Sequence, residues 1–410
     1  MKNYPYEKDG ELLIDTTNVG TIKLNDLEEH SEIMVDGNIT INDNYKGETL
    51  PDIIADGHIF IQDNTSISEI SYLSAKENVN ISGNSLICIE RIEAKEDIVI
   101  EDNEFLEVIS AVSGQEVYIN GDNIKSLNDH TIGISFPIKS KGDLTINCPE
   151  LKEIGSIECG GNAFITGPSC IGKHFDPEKK LNFTSENHVK GDLKIHETTI
   201  GECENFTIGG DFNLVRCANL DDTISEIRCD GTIDTNGCSL SFSNITANKI
   251  DLSGDLISVT DAKAHSIFES NAEALYVSGL ESPIVSIDDA SEFQAFDNVK
   301  ADVVSIQNCG APESIDNLEV GSSLTIEECD VENLDVTFTG EKSGIFSSDL
   351  TSLGDITGRE IILETPELTS LGSLDVDSID ISECNSLSES EIKDIEESVE
   401  TVKKNTALKM

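Results

Sequence analysis

Apolar and polar positions recur along the chain with a fixed period. Ala75-Lys76-Glu77-Asn78-Val79-Asn80-Ile81 returns nineteen residues later as Ala94-Lys95-Glu96-Asp97-Ile98-Val99-Ile100. Ile81 leads to Asn84, Leu86 and Ile89, and Ile100 leads to Asn103, Phe105 and Val108. With Φ for an apolar residue, the pattern is Φ-x-Φ-x-x-N-x-Φ-x-x-Φ. It continues through Ile119, Ile146, Ile326 and Leu363, each followed by its turn residue and two further apolar positions. Alternation such as Ile39-Thr40-Ile41 or Leu144-Thr145-Ile146 predicts short strands with one face in and one out. The turn column after these strands reads Asn44, Asn64, Asn84, Asn103, Asp122, Pro149, Pro168, Thr198, Cys217 and Cys238. It resumes at Cys309, Cys329, Ser348, Pro366 and Cys384.

Most steps between turn residues are 18 to 21 residues; steps of 27 before Pro149 and 30 before Thr198 read as rungs with inserted loops. A second column of small residues, Ala55, Ala75, Ala94, Cys159, Cys229, Ala247 and Ala301, closes a second apolar run. Gly-plus-polar pairs open the next strand at Gly37-Asn38, Gly57-His58, Gly142-Asp143, Gly191-Asp192 and Gly210-Asp211. Such pairs suit a tight corner. No single unit has enough apolar residues to enclose a core, but stacked units bury a continuous column. The expected fold is therefore an all-β parallel solenoid, right-handed, with rungs of ~19–20 residues. Sixteen or so rungs at about 4.8 Å would stack to a rod of roughly 75 Å.

The pattern divides the chain into an N-terminal cap, 1–34, a solenoid, 35–387, and a C-terminal capping helix and tail, 388–410. Ser388-Glu389-Ser390-Glu391 fits a capping box. Ile392, Ile395, Val399 and Val402 then share one helical face, with Lys403 and Lys404 at the end that the dipole makes negative. A cap of this kind covers a pairing edge that would otherwise be open. From about Gly254 to Asp302 the rungs cannot be registered from the pattern.

Leu144-Thr145-Ile146-Asn147-Cys148-Pro149-Glu150-Leu151-Lys152-Glu153-Ile154 resembles a leucine-rich-repeat core, L-x-L-x-x-N/C-x-L-x-x-L. The period and the Gly-Asp-Leu-x-Ile openings are also similar to receptor L domains. The resemblance covers roughly residues 35 to 387. The chain departs from leucine-rich repeats in preferring Ile to Leu and in leaving no room for a regular convex helix. It departs from receptor L domains in lacking a disulfide framework. The resemblance implies recognition of another macromolecule along an extended surface, and it carries over no catalytic residues.

Charge changes the picture next. Of 410 residues, 79 are acids against 27 strong bases, a formal charge of −52. Arginine occurs only at Arg91, Arg216, Arg228 and Arg359. Such a chain is repelled by phosphate backbones and anionic lipid, which argues against nucleic-acid binding. Low aromatic content with high charge is also a disorder signature. The repeat answers it: the apolar positions lie in fixed columns, so the acids belong to the outside. Stacked like charges should make the solenoid more stable in salt, and diffuse divalent-cation binding is expected. The start has no apolar signal-peptide core, and no stretch is apolar enough for a spanning helix. The expected location is cytoplasmic, or outside by a route without a Sec signal. The eleven Cys are scattered with no C-x-x-C pair and read as reduced thiols.

Candidate chemistry is sparse. The Asn/Cys column reads either as a ligand track or as an internal ladder satisfying turn backbone; free Cys behaves as a small buried hydrophobe, which favours the ladder. His174 and His188 share an inserted loop and could approach each other, but no zinc motif surrounds them. Asp221-Asp222 and Asp288-Asp289 are similar to acid pairs of β-helix polysaccharide hydrolases, without the histidine and basic pair those enzymes use. No calcium-binding repeat or EF-hand loop is present. Thr40, Thr145 and Thr325 occupy equivalent outward positions, but Lys194, Asn80 and Val99 interrupt any ice-binding ladder. No catalytic, cofactor or metal residues are assigned. The expectation is a non-enzymatic binding or scaffold protein presenting an acidic surface to a protein partner, a basic one in the simplest case. The alternatives are a surface or exported host-interaction protein and a polysaccharide-acting enzyme.

Overall fold

A computed structural model describes residues 6–8, 11–15, 32–41, 45, 47–127, 137–169, 179–219, 222–310, 315, 317–329 and 334–404. The chain is a parallel β-solenoid of about 18 turns with one short helix near its C-terminus. It divides into two units, Met1–Asp222 and Thr223–Met410.

Each rung of the first unit contributes to three parallel sheets. The first sheet carries the Φ-x-Φ strands: Ile39–Ile41, Ile59–Gln62, Val79–Ser82, Ile98–Glu101, Val117–Asn120, Leu144–Asn147, Ala163–Thr166, Leu193–His196 and Phe212–Val215. Longer strands such as Cys88–Ala94 bend midway and serve the second and third sheets. Register is strict in the first sheet: Ile39 faces Ile59, Ile59 faces Val79, and Val79 faces Ile98. All four side chains are buried. Burying each such aliphatic side chain contributes about 1.5–3 kcal/mol. A slip of one residue would turn the whole column to solvent, which is why the register holds. The small-residue column is in register too: Ala55 faces Ala75, and Ala75 faces Ala94.

The glycine openings work by close approach. Asn162 Oδ1 accepts a hydrogen bond from the Asp192 N–H of the next rung at 2.9 Å, passing over Gly191. A Cβ on Gly191 would lie 2.3 Å from that oxygen and 2.8 Å from the Gly161 carbonyl oxygen. The same device repeats: the N–H of Asn162 reaches Asp143 Oδ1, and that of Asp211 reaches Asp192 Oδ1. These polar residues therefore form a second, external ladder from rung to rung.

The internal turn ladder has two corner types. In one, a residue with positive φ precedes the inward ladder residue: Asp63 before Asn64, Gly83 before Asn84, Asp102 before Asn103, Glu197 before Thr198 and Arg216 before Cys217. In the other no such residue is inserted. The inward position then falls one residue earlier than the sequence column, on Cys148, Gly167, Ser347 and Thr365 instead of Pro149, Pro168, Ser348 and Pro366. Pro149 and Ser348 are exposed. At two of these corners the chain turns tightly, with Leu151 N–H bonded to Cys148 O and Leu368 N–H to Thr365 O. Proline suits the second position of such a turn. A related shift corrects the reading of Phe105, which is 51% exposed while Leu106 takes the buried position. Asn44 lies outside the described residues.

The rungs from Gly254 to Asp302 are regular. Strands Gly254–Ser270, Ala274–Glu281, Ile284–Asp288 and Glu292–Gln307 pair in parallel. Their inward turn positions are held by the buried Ala272 and Ala290, so the Asn/Cys signal is missing there. A different column marks these rungs: Glu226, Asn244, Asp261, Gly279, Asn298 and Asn317 all have positive φ. Asn, Asp and Gly are the residues that tolerate that conformation best.

At the C-terminus the capping box forms. Ser388 Oγ accepts from the Glu391 N–H, and Glu391 Oε2 accepts from the Ser388 N–H at 3.0 Å. The helix Glu389–Ser398 is shorter than the apolar spacing suggested. Val399 is extended and buried, and Thr401–Lys403 forms a strand that pairs in parallel with Ser378–Asp380. Val402 therefore extends the sheet. Lys403 binds Asp380 at 2.5 Å and Lys404 binds Glu396, so no basic residue lies in the last helical turn. Edge pairing outweighs helix propagation here because β-branched residues favour the extended state. At the N-terminus, Tyr6–Lys8 folds antiparallel onto Glu11–Asp15, which pairs in parallel with Glu32–Asp36. Parallel stacking thus begins inside the segment read as the cap. Residues 1–5, 9–10 and 16–31 of that segment lie outside the described residues.

Candidate recognition surface

The Asn/Cys column is an internal ladder. Asn64 N–H donates to Asn84 Oδ1 at 3.0 Å, and Asn84 N–H donates to Asn103 Oδ1 at 3.1 Å. The amide nitrogens of Asn84 and Asn103 reach back to the carbonyls of Ile61 and Ile81. Cysteine repeats these contacts with sulfur: Cys217 Sγ lies 3.4 Å from Ile195 O and 3.5 Å from Val215 O. Thr198 uses its hydroxyl, accepting from Gly167 N–H at 2.9 Å. The column therefore satisfies buried backbone groups that would otherwise each cost about 1–3 kcal/mol.

All described cysteines are free thiols, and their environments differ. Burial pushes the Cys148 thiol up to about 12 and raises Cys203 further. Cys309 and Cys329 occupy the ladder in adjacent rungs. The neighbouring Cys309 side chain, and the Cys309 N–H that donates to Cys329 Sγ at 3.3 Å, hold the Cys329 pKa below the ordinary thiol value. Cys329 is also partly exposed. Thiolate fraction and access set alkylation rates. Iodoacetamide mapping of the folded protein is expected to label Cys329 and the partly exposed Cys88 well before Cys148 and Cys203. Equal labelling of all four without denaturant would show that the ladder opens readily.

The histidine and acid-pair candidates resolve as local contacts. His188 is exposed, sits on the third sheet opposite Glu158 and lies 3.4 Å from Glu186. His174 is outside the described residues, as are His30, His130 and Asp221. Asp222 binds Lys180 at 2.6 Å. Asp288 accepts from Asn308 Nδ2 at 2.9 Å, and Asp289 is a positive-φ corner residue. That pair is thus built into a turn. Among the described residues no group of three or more His, Cys, Asp or Glu is arranged to hold a metal ion, and no helix is long and apolar enough to cross a membrane.

An open cleft of about 330 Å³ in the second unit is lined by Lys263, His265, Glu281, Lys300 and Asp302. Its charges alternate by register, Lys263 facing Glu281, Glu281 facing Lys300, and Lys300 facing Glu319. Lys263 binds Glu281 at 2.9 Å and holds its carboxyl below the usual range; Lys300 lies 3.4 Å from Glu319. The cleft is compensated by its own cross-strand pairs.

The outward positions of the first sheet in the first unit differ from the rest of the surface. The central outward column begins Thr40, Phe60, Asn80 and Val99, and continues through Tyr118, Thr145, Phe164, Lys194 and Asn213. The next outward positions are Gln62, Ser82, Glu101, Asn120, Asn147, Thr166, His196 and Val215. Lys194, Asn80 and Val99 interrupt the threonines, as the sequence indicated. Acids lie at the borders: Asp97, Glu116, Asp143, Asp192 and Asp211 before the strands, Asp63, Asp102 and Glu197 after them. The composition of this face was missed in the sequence, although the x of each Φ-x-Φ strand spells it.

No family model matches this chain, and neither curated proteins nor solved structures give a match.

Proposed function

We propose that this chain is a binding or scaffold protein whose acidic exterior engages a basic protein partner. The supporting observation is the fate of its few bases. Lys76, Lys125, Lys139 and Lys249 are each paired with a carboxylate within 2.5–2.8 Å, between or along neighbouring rungs. Among the described residues no Asp or Glu is buried, so the acids that give the chain its charge of −52 lie at the surface there. Exposed pairs of this kind add little stability, so the acid excess acts mainly through its field. A field of one sign steers an oppositely charged partner and raises its association rate. The test is pull-down with crosslinking from low to high salt. Capture of a basic protein at low salt that fades as salt rises is expected. Capture indifferent to ionic strength would remove the acidic surface as the contact.

A further inference from the structure

We propose that the outward face of the first sheet, in the first unit, is a binding platform for an extended, uncharged polysaccharide. This goes beyond the acidic surface and uses a different part of the molecule. Of the two outward columns, with nine and eight positions, Glu101 alone is acidic and Lys194 alone is a strong base. In a chain of net charge −52, a neutral strip across nine paired strands needs a physical account. Solvation does not supply one. The strip places Phe60, Val99, Tyr118 and Phe164 outward, and Phe164 is 37% exposed. Aromatic side chains left at a surface favour burial against a ligand.

The charge pattern selects the ligand class. Acids border the strip on both sides, at Asp97 and Asp143 before the strands and at Asp63 and Asp102 after them. A nucleic acid or polyuronate is repelled by those borders. A basic protein is drawn to the borders themselves. The strip suits a polymer without charge that offers apolar C–H faces and many hydroxyls. Pyranose rings of a neutral glycan do both: the C–H faces stack on Phe60, Tyr118 and Phe164, while hydroxyls bond to amides and hydroxyls such as Asn80 and Thr145. Nine strands at about 4.8 Å give a track of roughly 38 Å. Phe60 and Tyr118 are three strands apart, about 14 Å, and Tyr118 and Phe164 two strands apart, about 10 Å. His58 packs against Phe60 with ring centroids 5.6 Å apart, and His196 against Phe164 at 6.5 Å, which limits ring motion before binding. Pre-ordered rings lose less entropy on contact.

The test uses the full chain in affinity electrophoresis through laminarin, xyloglucan and galactomannan, and sedimentation with cellulose and chitin. Alginate serves as the anionic control. Retention by at least one neutral glycan is expected, with none by alginate. That retention should persist at about 1 M salt, where the Debye length is about 3 Å, which separates it from capture by the acidic surface. Single F60A, Y118A and F164A substitutions should each weaken binding about 3- to 10-fold, and the triple variant should abolish it. Circular dichroism and urea midpoints of the variants report whether the fold is kept; N80A and T145A, which remove no ring, give a second set with smaller losses. Failure to retain any neutral glycan, or retention unchanged in a folded triple variant, would overturn the proposal. So would a dimer in sedimentation velocity that the triple variant turns into a monomer, because the face would then be an interface between copies.

Discussion

Replacing Asn84 with alanine is expected to destabilise the first unit by about 3 kcal/mol in urea unfolding. The side chain is 3% exposed and bonds in both directions along the ladder. Its Oδ1 accepts from the Asn64 N–H, and its Nδ2 lies 2.9 Å from Ile61 O and 3.0 Å from Asn103 Oδ1. Alanine leaves the Asn64 N–H buried without that acceptor and takes a donor from the Ile61 carbonyl. Asn84→Cys is the informative control, because Cys217 fills the same position with sulfur contacts at 3.4 and 3.5 Å. The cysteine variant should lose about half as much as the alanine variant, since sulfur is a weaker partner than an amide. An alanine variant within about 0.5 kcal/mol of the parent would show that the ladder adds nothing to stability.

Gly191→Ala should be nearly as damaging, costing about 2–3 kcal/mol. The reason is steric. The added carbon would sit 2.3 Å from Asn162 Oδ1 and 2.8 Å from Gly161 O. Either the two rungs move apart or Asn162 gives up its bond to the Asp192 N–H, and both weaken the stack. Hydrogen exchange localises the effect: the Asp192 amide should lose protection first, together with the Ala163 N–H that bonds to Asp192 O. Lys190→Ala, at the exposed residue just before this glycine, should stay within about 0.5 kcal/mol. If Gly191→Ala proved as mild, the corner would be loose enough to absorb a methyl group.

The solenoid was legible because its inward positions repeat. Ala75–Ile81 and Ala94–Ile100 share one pattern, and the structure sets Ala75 opposite Ala94 and Ile81 opposite Ile100. The corners were less legible. A positive-φ residue moves the inward position by one without changing the apolar spacing on either side, so Pro149 and Cys148 could not be told apart by period. At Phe105 the corner holds one extra residue after Asn103, and because Phe105 and Leu106 are both apolar only the corner geometry decides which is buried. Between Gly254 and Asp302 the ladder is filled by Ala272 and Ala290, residues too common to mark a register. The C-terminal segment was misjudged for a different reason. Val399 and Val402 fit helical spacing, but the open edge at Ser378–Asp380 pairs with Thr401–Lys403, and no local pattern reveals that edge.

By itself, then, the sequence determined that the apolar third of this chain stacks into a column and that its charge lies outside. Periodic burial is a local property, written in each rung and repeated. Only the tertiary structure decided which side chains share an outward face, because that depends on the register between rungs some twenty residues apart. Phe60, Tyr118 and Phe164 are unremarkable along the chain. They come into line only when the strands pair, and the described acids that separate them in sequence, Glu101 apart, are carried to the corners or onto the other two sheets.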